Sequence, residues 1–174
     1  MMFLAQGAPV EDRIRQCAGC HGEDGNSKTE NIPSLAGQPE FFVLKQLILM
    51  REGVRKVPAM TPIVKDLEDS DIQVIAKHFA ALEPRGNGEQ IDPALVKRGS
   101  ELAVTLRCAS CHLPGMAGQQ QMPRLARQRL DYLIYSMKQF RDNKRSGADT
   151  QMSNVVAGLS DADLTALAQF AASR

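Results

Sequence analysis

Apolar residues recur along the chain at the spacing of an α-helix. In residues 70–81, the apolar side chains Ile72, Ile75, Ala76 and Phe79 stand three or four positions apart, as on one face of a helix. No stretch alternates β-branched and polar residues with the period of two that a half-buried strand requires. The pattern therefore predicts an all-α fold.

Four further segments have helical character. Residues 40–51 and 130–142 are long apolar-rich stretches with polar interruptions, and further helices are expected over roughly 10–19 and 93–110. Each repeat also contains a predicted capping box, in which two side chains satisfy the first N–H groups of a helix. These are Ser70 with Gln73 and Ser160 with Asp163.

The second half of the chain repeats the first. PSLAGQ at 33–38 aligns with PRLARQ at 123–128 at an offset of ninety, and residues 60–72 align with 152–164 at an offset of ninety-two. Between the repeats, EPRGNGEQIDP carries two Gly and two Pro in a polar stretch, which is typical of a linker. We therefore predict two domains, residues 1–84 and 93–174, joined by residues 85–92.

Composition excludes some functions and raises one problem. A formal charge of +1, with basic residues interleaved among acids, gives no reason to expect nucleic-acid binding. Residues 1–87 carry 10 Lys and Arg against 12 Asp and Glu, or −2, whereas residues 88–174 carry 11 against 8, or +3. Aromatic residues make up only 5% and Trp is absent, so two small domains lack the bulky side chains that fill a core.

The chain shows no apolar run long enough to span a bilayer. The N-terminal segment MMFLAQGAPV has a short apolar stretch without a basic region before it. It fits the end of a secretory signal and an irregular chain end equally well.

All four cysteines of the chain lie in two motifs, CAGCH and CASCH. The first contains Cys17, Cys20 and His21, and the second lies ninety-one residues later. A Cys-x-x-Cys pair could be a thiol redox centre, although the expected βαβ pattern is missing, or part of a zinc site that pools the sulfurs of both halves. Cys-x-x-Cys-His is typical of covalent haem attachment, with two thioethers to the haem and the histidine as an axial iron ligand.

The second motif supplies Cys108, Cys111 and His112 in the same roles. Two complete copies favour covalent haem over the alternatives. A large apolar macrocycle in each half would also provide the bulk that the few aromatic residues do not.

The sixth iron ligand is expected to be a methionine in each half. Met60 and Met152 follow their histidines by 39 and 40 residues and occupy equivalent repeat positions, predicted to lie in a loop before a capped helix. Met122 competes in the second half but directly precedes Pro123. His78, the one histidine outside the motifs, is expected to pack or face solvent.

These residues resemble a known family. CAGCHGEDGNS, IPSLAGQPEFFVLKQL, MREGVRKVPAM and LEDSDIQVIAKHF are similar to the first domain of cytochrome c4, a periplasmic electron carrier with two haems. The second half is less similar, since CASCHLPGMAGQQQMPRLARQ lacks the HGxDG segment. The resemblance implies two tandem class I cytochrome c domains, each wrapped around one covalently bound haem c with His and Met ligands.

The resemblance also implies a role for residues around the haems. Pro33 and Pro123 match the position whose carbonyl accepts the Nδ1 proton of the axial imidazole. Candidate partners of the haem propionates are four arginines, which can bind a carboxylate bidentately, and two glutamines. They are Arg51, Arg55, Arg141, Arg145, Gln38 and Gln128.

The function implied is outer-sphere electron transfer by a monomeric protein that is not an enzyme. Electrons would come from a cytochrome bc1 complex or a periplasmic dehydrogenase and pass to a terminal oxidase, with peripheral association at membrane complexes. Two alternatives stay open at this point: a haem subunit that accepts electrons from one particular dehydrogenase, and a two-haem peroxidase with an open iron site.

Overall fold

The computed structural model describes residues 9–147 and 150–174, and the regular secondary structure in these residues is almost entirely helical. The helices are α1 (Val10–His21), α2 (Glu40–Arg51), α3 (Thr61–Val64), α4 (Asp69–Ala81), α5 (Pro93–Thr105), α6 (Ala109–His112), α7 (Leu130–Arg141), α8 (Thr150–Val156) and α9 (Asp161–Ala172). A 3-10 turn, Pro114–Met116, follows α6, and the only extended pairing in the described residues is an isolated bridge between Gln119 and Met122. The predicted all-α fold is confirmed.

One segment that was predicted as a single helix forms two separate helices. The segment 93–110 was expected to form a single helix, but α5 ends at Thr105 and α6 begins at Ala109. Between them Arg107 has a left-handed φ of 54°, and the N–H of Cys108 donates to the carbonyl of Ala103 at 3.0 Å. This is the closure of a helix C-terminus by a left-handed residue, so the chain turns before the second cysteine motif.

The two capping predictions have different outcomes. Ser160 caps α9 as predicted, since its Oγ accepts the N–H of Asp163 at 3.1 Å and the Asp163 carboxylate accepts the N–H of Ser160 at 3.1 Å. The Ser70 prediction is wrong, because α4 begins two residues earlier with Glu68 as its N-cap, and the N–H of Glu68 donates to Asp71 at 3.1 Å. Glu68 is the residue that the ninety-two-residue offset pairs with Ser160.

Each repeat builds its own helical core. In the first, buried side chains from α1, α2, α3 and α4 pack together, with Phe79 and Ile72 almost fully enclosed. In the second, α5 crosses α9 where Gly99 faces Ala166, so closely that a Cβ on residue 99 would lie 2.0 Å from the Ala166 carbonyl oxygen. This approach brings the helix that leads to the second cysteine motif directly against the C-terminal helix.

Between α4 and α5 no helix is assigned, and the predicted linker 85–92 falls in this stretch. The stretch is nonetheless held to both repeats: the N–H of Arg85 donates to Asn26 at 2.7 Å, and the carboxylate of Glu89 accepts the N–H of Leu130 at 2.7 Å. Within the described ranges, no helix has both the length and the apolar character needed to cross a membrane. The predicted signal-like segment lies almost wholly in residues 1–8, outside the described residues.

Candidate functional site

Each cysteine motif ends in a histidine that contacts a proline carbonyl. His21 closes α1, and its Nδ1 lies 2.8 Å from the carbonyl oxygen of Pro33. His112 closes α6, and its Nδ1 lies 2.9 Å from the carbonyl oxygen of Pro123. A carbonyl can only accept, so Nδ1 carries the proton and Nε2 keeps its lone pair.

The environment of both rings keeps them neutral. The two histidines are buried, and burial lowers the pKa of His21 and of His112, while the proline carbonyls oppose this by accepting the Nδ1 proton. Nε2 of either ring makes no hydrogen bond to the part of the chain that the structure describes. Each ring therefore presents one free lone pair, which is the donor that an iron or zinc ion uses.

The four cysteines are free thiols, two more exposed than the others. Cys17 is buried and Cys108 partly buried, and burial raises the pKa of both thiols, whereas Cys20 and Cys111 are exposed. Across residues 9–147 and 150–174, no three His, Cys, Asp or Glu side chains cluster so as to hold a metal ion. The zinc alternative, which needs the sulfurs of both motifs in one site, does not have that geometry.

A common turn links each histidine to its proline loop, although the sequences differ. In the first repeat the carbonyl of Gly25 accepts the N–H groups of Leu35 and Ala36 at 2.8 and 3.0 Å. In the second the carbonyl of Met116 accepts from Leu125 and Ala126 at 2.9 and 3.0 Å, with Met116 in a left-handed φ of 59°. The loop geometry survives the loss of the HGxDG segment because a methionine adopts a backbone conformation that favours glycine.

The predicted methionine ligands lie at the start of short helices. Met60 directly precedes α3, is partly buried and packs against the first core. Met152 was expected in a non-helical loop, but it is the third residue of α8, which is longer than α3. Met122 directly precedes the proline whose carbonyl contacts His112, which puts it in the loop on the Nδ1 side of that ring.

Arg51 and Arg141, predicted as propionate partners, are already paired with protein carboxylates. Arg51 donates to Glu52 and Asp69 at 2.8 Å each, and to the carbonyl of Leu67 at 3.0 Å. Arg141 repeats this pattern, with Asp142, Asp161 and the carbonyl of Leu159 as acceptors. These guanidinium groups join the end of α2 to the start of α4 and the end of α7 to the start of α9. The propionate role of both arginines stays a prediction.

Arg55 and Arg145 have a different environment, between the two repeats. Arg55 donates to Gln46 at 2.6 Å and Arg145 to Ser136 at 2.8 Å, and neither is ion-paired among the described residues. Both reach Tyr132: burial raises the pKa of its hydroxyl, but the charges and hydrogen bonds of the two arginines outweigh this and lower it. Two cations without carboxylates therefore converge on one tyrosine.

Gln38 and Gln128 were also predicted as propionate partners, and in the structure their side-chain amides form hydrogen bonds with the backbone of the opposite repeat. Gln128 accepts the N–H of Ser34 through Oε1 and donates to its carbonyl through Nε2, each at 2.8 Å. Gln38 does the same to Arg124, accepting its N–H at 3.0 Å and donating to its carbonyl at 2.9 Å. These paired bonds occupy both ends of each amide, and the propionate role of the two glutamines stays a prediction.

Arg124 is a residue that the sequence analysis missed. It is 4% exposed, donates to the carbonyl of Ala36 at 2.7 Å and to that of Ala126, and its Nε has no partner in the described residues. Burial, with a smaller effect of Arg127, lowers the pKa of Arg124 to about 10. The sequence feature that could have identified Arg124 is its place in the repeat, because it stands where the first repeat has Ser34 when PRLARQ is aligned with PSLAGQ.

These features fit two covalently bound haem groups. Each repeat offers two free thiols at Cys-x-x-Cys spacing, an adjacent imidazole with a free Nε2, and a methionine at an equivalent position. Arg55, Arg145 and Arg124 are cations that lack a carboxylate within the described residues, and haem propionates are carboxylates. The donor set is that of a c-type haem protein.

Comparison with known proteins agrees with this description. The family model described as "Cytochrome c" matches residues 96–173, and the one described as "Cytochrome C oxidase, cbb3-type, subunit III" matches residues 5–78. Cytochrome c4 of Stutzerimonas stutzeri is 35% identical over 180 residues, covering 92% of this chain and 85% of that protein. The thiosulfate dehydrogenase electron acceptor of Thiomonas intermedia is 28% identical, covering 98% and 83%.

The fold has a close counterpart among solved structures. The crystal structure of reduced recombinant cytochrome c4 from Pseudomonas stutzeri superposes with a TM-score of 0.83 at 32% identity, covering 95% of this chain and 98% of that one. Fold and site together define a c-type cytochrome with two covalently bound haem c groups. The chain belongs to the cytochrome c4 family, whose members transfer electrons.

Proposed function

We propose that this protein is a periplasmic carrier that moves one electron at a time through two haems with His and Met ligands. The observation that carries the proposal is the repeated contact of a buried imidazole with a proline carbonyl, at 2.8 Å for His21 and 2.9 Å for His112, one residue after each cysteine pair. A haem c bound there supplies an iron that gains and loses a single electron.

The protein residues hold the ligands fixed while the charge changes. The Nδ1–H of each imidazole is donated to a carbonyl in a loop that is rigid at proline, so the ring orientation is set before a haem binds. Cys17 and Cys20 would anchor the first ring and Cys108 and Cys111 the second. Ligands that do not move between oxidation states reduce the cost of rearrangement in each transfer.

Met60 and Met152 are the proposed sixth ligands. Each stands at the start of the short helix that precedes the last helix of its repeat, at α3 and α8 respectively. A thioether opposite an imidazole raises the reduction potential, which suits a carrier that delivers electrons to a high-potential acceptor.

Arg55 and Arg145 are the proposed partners of the haem propionates, with Arg124 as an additional cation. All three lie between the repeats without a carboxylate among the described residues. Of the three, Arg124 is buried, and the cost of an unpaired buried charge, on the order of 3–5 kcal/mol when a buried pair is broken, applies chiefly to it. Propionates at this interface would remove that cost.

The proposed partners are redox proteins. By resemblance, a cytochrome bc1 complex or a periplasmic dehydrogenase donates electrons and a terminal oxidase accepts them, with the protein acting as a monomer in two domains, 1–84 and 93–174. The difference in formal charge, −2 against +3, supports an approach of the C-terminal domain to an acidic partner surface. No step makes or breaks a bond in a substrate.

A second candidate is an electron acceptor dedicated to one dehydrogenase. It is favoured by the similarity to the thiosulfate dehydrogenase electron acceptor of Thiomonas intermedia, which extends over 98% of this chain. In this role the same haems would receive electrons from an enzyme rather than from a respiratory complex.

Stopped-flow mixing separates these functions. The reduced protein should transfer two electrons rapidly to an oxidase preparation, and the oxidised protein should be reduced by a bc1 complex with its quinol. Reduction only by a thiosulfate-oxidising enzyme would favour the second candidate. Turnover of hydrogen peroxide by the reduced protein, with one high-spin haem, would contradict both.

A further inference from the structure

Each glutamine at the interface binds the same peptide group as the axial histidine of the opposite repeat. The carbonyl of Pro33 and the N–H of Ser34 belong to one peptide unit. His21 donates to that carbonyl at 2.8 Å, while the N–H is donated to Gln128 at 2.8 Å. The peptide therefore connects an imidazole of the first repeat to an amide of the second.

The other repeat contains the mirrored arrangement. His112 donates to the carbonyl of Pro123 at 2.9 Å, and the N–H of the same peptide, that of Arg124, is donated to Gln38 at 3.0 Å. Both glutamines are buried, with exposed fractions of 3% and 4%. Water therefore does not compete for these bonds.

Hydrogen bonds in a chain polarise one another, by about 10–30% per bond in condensed-phase estimates. An acceptor on the N–H of a peptide draws its proton outward and increases the negative charge on its carbonyl oxygen. The carbonyl then accepts the imidazole Nδ1 proton more strongly, which makes the ring a more electron-rich ligand. An electron-rich ligand stabilises ferric iron and lowers the reduction potential.

We propose that each glutamine tunes the haem of the other domain: Gln38 acts through Pro123 on the haem held by His112, and Gln128 acts through Pro33 on the haem held by His21. Both are positioning residues that act through a peptide group and the axial histidine. The inference rests on the proposed function, because it requires both histidines to ligate haem iron.

The crossed pattern distinguishes this proposal from a simpler one. If a glutamine bound a propionate of its own haem, or only tightened the interface, its loss would change the haem of its own domain or both haems together. A peptide relay changes the potential of the opposite haem alone. The test therefore depends on which haem responds, and not only on whether a potential moves.

Gln38→Met is the cleaner variant, because Oε1 of Gln128 also accepts the N–H of Arg129 at 2.9 Å. Methionine keeps the length of the side chain and removes both hydrogen-bonding groups. Gln128→Met provides the mirrored test. Ser146→Ala is the matched control, since Ser146 accepts the N–H of Lys56 across the same interface at 2.7 Å and touches neither relay peptide.

The readouts are redox titrations followed by NMR, with each haem assigned through nuclear Overhauser contacts to residues of its own domain. In Gln38→Met we expect the ferric-to-ferrous ratio of the His112 haem at fixed potential to fall about threefold. This corresponds to a rise of about 28 mV in the reduction potential of that haem, at 59 mV per tenfold change for one electron. The Nδ1–H resonance of His112 in the reduced protein should move upfield, and the His21 haem should not respond. Gln128→Met should give the reverse, and Ser146→Ala should shift neither haem.

A shift confined to the haem of the mutated domain, an equal shift of both haems, or no shift in either variant would overturn the relay. The wild-type protein gives an independent check. The backbone amide hydrogens of Ser34 and Arg124 should exchange slowly with solvent, and rapid exchange of either would show that the hydrogen bond to the glutamine is absent. Failure of the proposed function has a different signature, because the wild-type protein would then lack two reversible one-electron couples.

Discussion

Replacement of Gly99 by alanine tests the helix crossing that carries the second cysteine motif. A Cβ at residue 99 would lie 2.0 Å from the carbonyl oxygen of Ala166 and 2.8 Å from the Cβ of Phe170. Real Cβ atoms almost never approach within 3.0 Å of another heavy atom, so α5 and α9 would have to separate by about 1 Å. The obstructing atom belongs to the backbone of α9, so no side-chain rotation can relieve the overlap.

Two opposing effects determine how much the Gly99→Ala substitution changes the free energy of unfolding. Alanine is favoured over glycine in a helix by about 1 kcal/mol, while overpacking a close contact costs about 1–3 kcal/mol or more. Because the backbone of α9 cannot give locally, we expect the upper part of that range and a net loss of about 2 kcal/mol in the free energy of unfolding of the C-terminal domain.

Guanidinium denaturation of the haem-loaded protein, followed by far-UV circular dichroism and by haem absorbance, measures this loss. Gly19→Ala is the matched control: Gly19 lies inside α1, a Cβ there meets nothing within 4 Å, and Ser110 occupies the equivalent position of the second motif. The control should gain about 0.5–1 kcal/mol. A Gly99→Ala protein as stable as the wild type would refute the close crossing of α5 and α9.

Other predictions address the ligands, the partner and pH. Met60→His or Met152→His should keep the affected iron low-spin and lower its potential, because nitrogen is the stronger donor, whereas Met122→Leu should leave the weak sulfur-to-iron absorption of the oxidised protein intact. Association with an acidic redox partner should slow as salt rises, and rates independent of ionic strength would contradict steering by the C-terminal domain. The pKa of Asp163 is lowered to about 2, chiefly by hydrogen bonds from Ser160, so its stabilising effect is full above about pH 4 and is lost as pH falls through 2. Asp163→Asn should therefore destabilise α9 at pH 6 but progressively less below pH 4, as measured by thermal unfolding across that range.

The repeat was the most informative feature of the sequence. The apolar spacing predicted the all-α fold and the helices at 40–51 and 70–81, the resemblance implied both histidine loops, and the repeat showed that the two halves share them. It also contained the correct N-cap of α4, since the ninety-two-residue offset pairs Ser160 with Glu68, but a capping box led by serine was the more familiar pattern.

The features that the sequence did not predict depend on the other repeat or on unusual backbone conformations. Gln38 and Gln128 were predicted as partners of the haem propionates, but their hydrogen bonds to the opposite repeat could not be predicted, because the sequence does not show that the two proline loops face each other. The break before the second motif depends on a left-handed Arg107, a conformation that arginine rarely adopts. Arg124 was visible only as a departure from the repeat.

The visible spectrum of the purified, air-oxidised protein, taken with a pyridine haemochrome count, tests the central claim most directly. We predict two haems per chain that resist extraction by acid acetone, both low-spin, with the weak sulfur-to-iron absorption near the red end of the spectrum. A high-spin band from one haem would contradict the proposed pair of His and Met ligands, and a colourless protein that contains zinc would contradict the whole account.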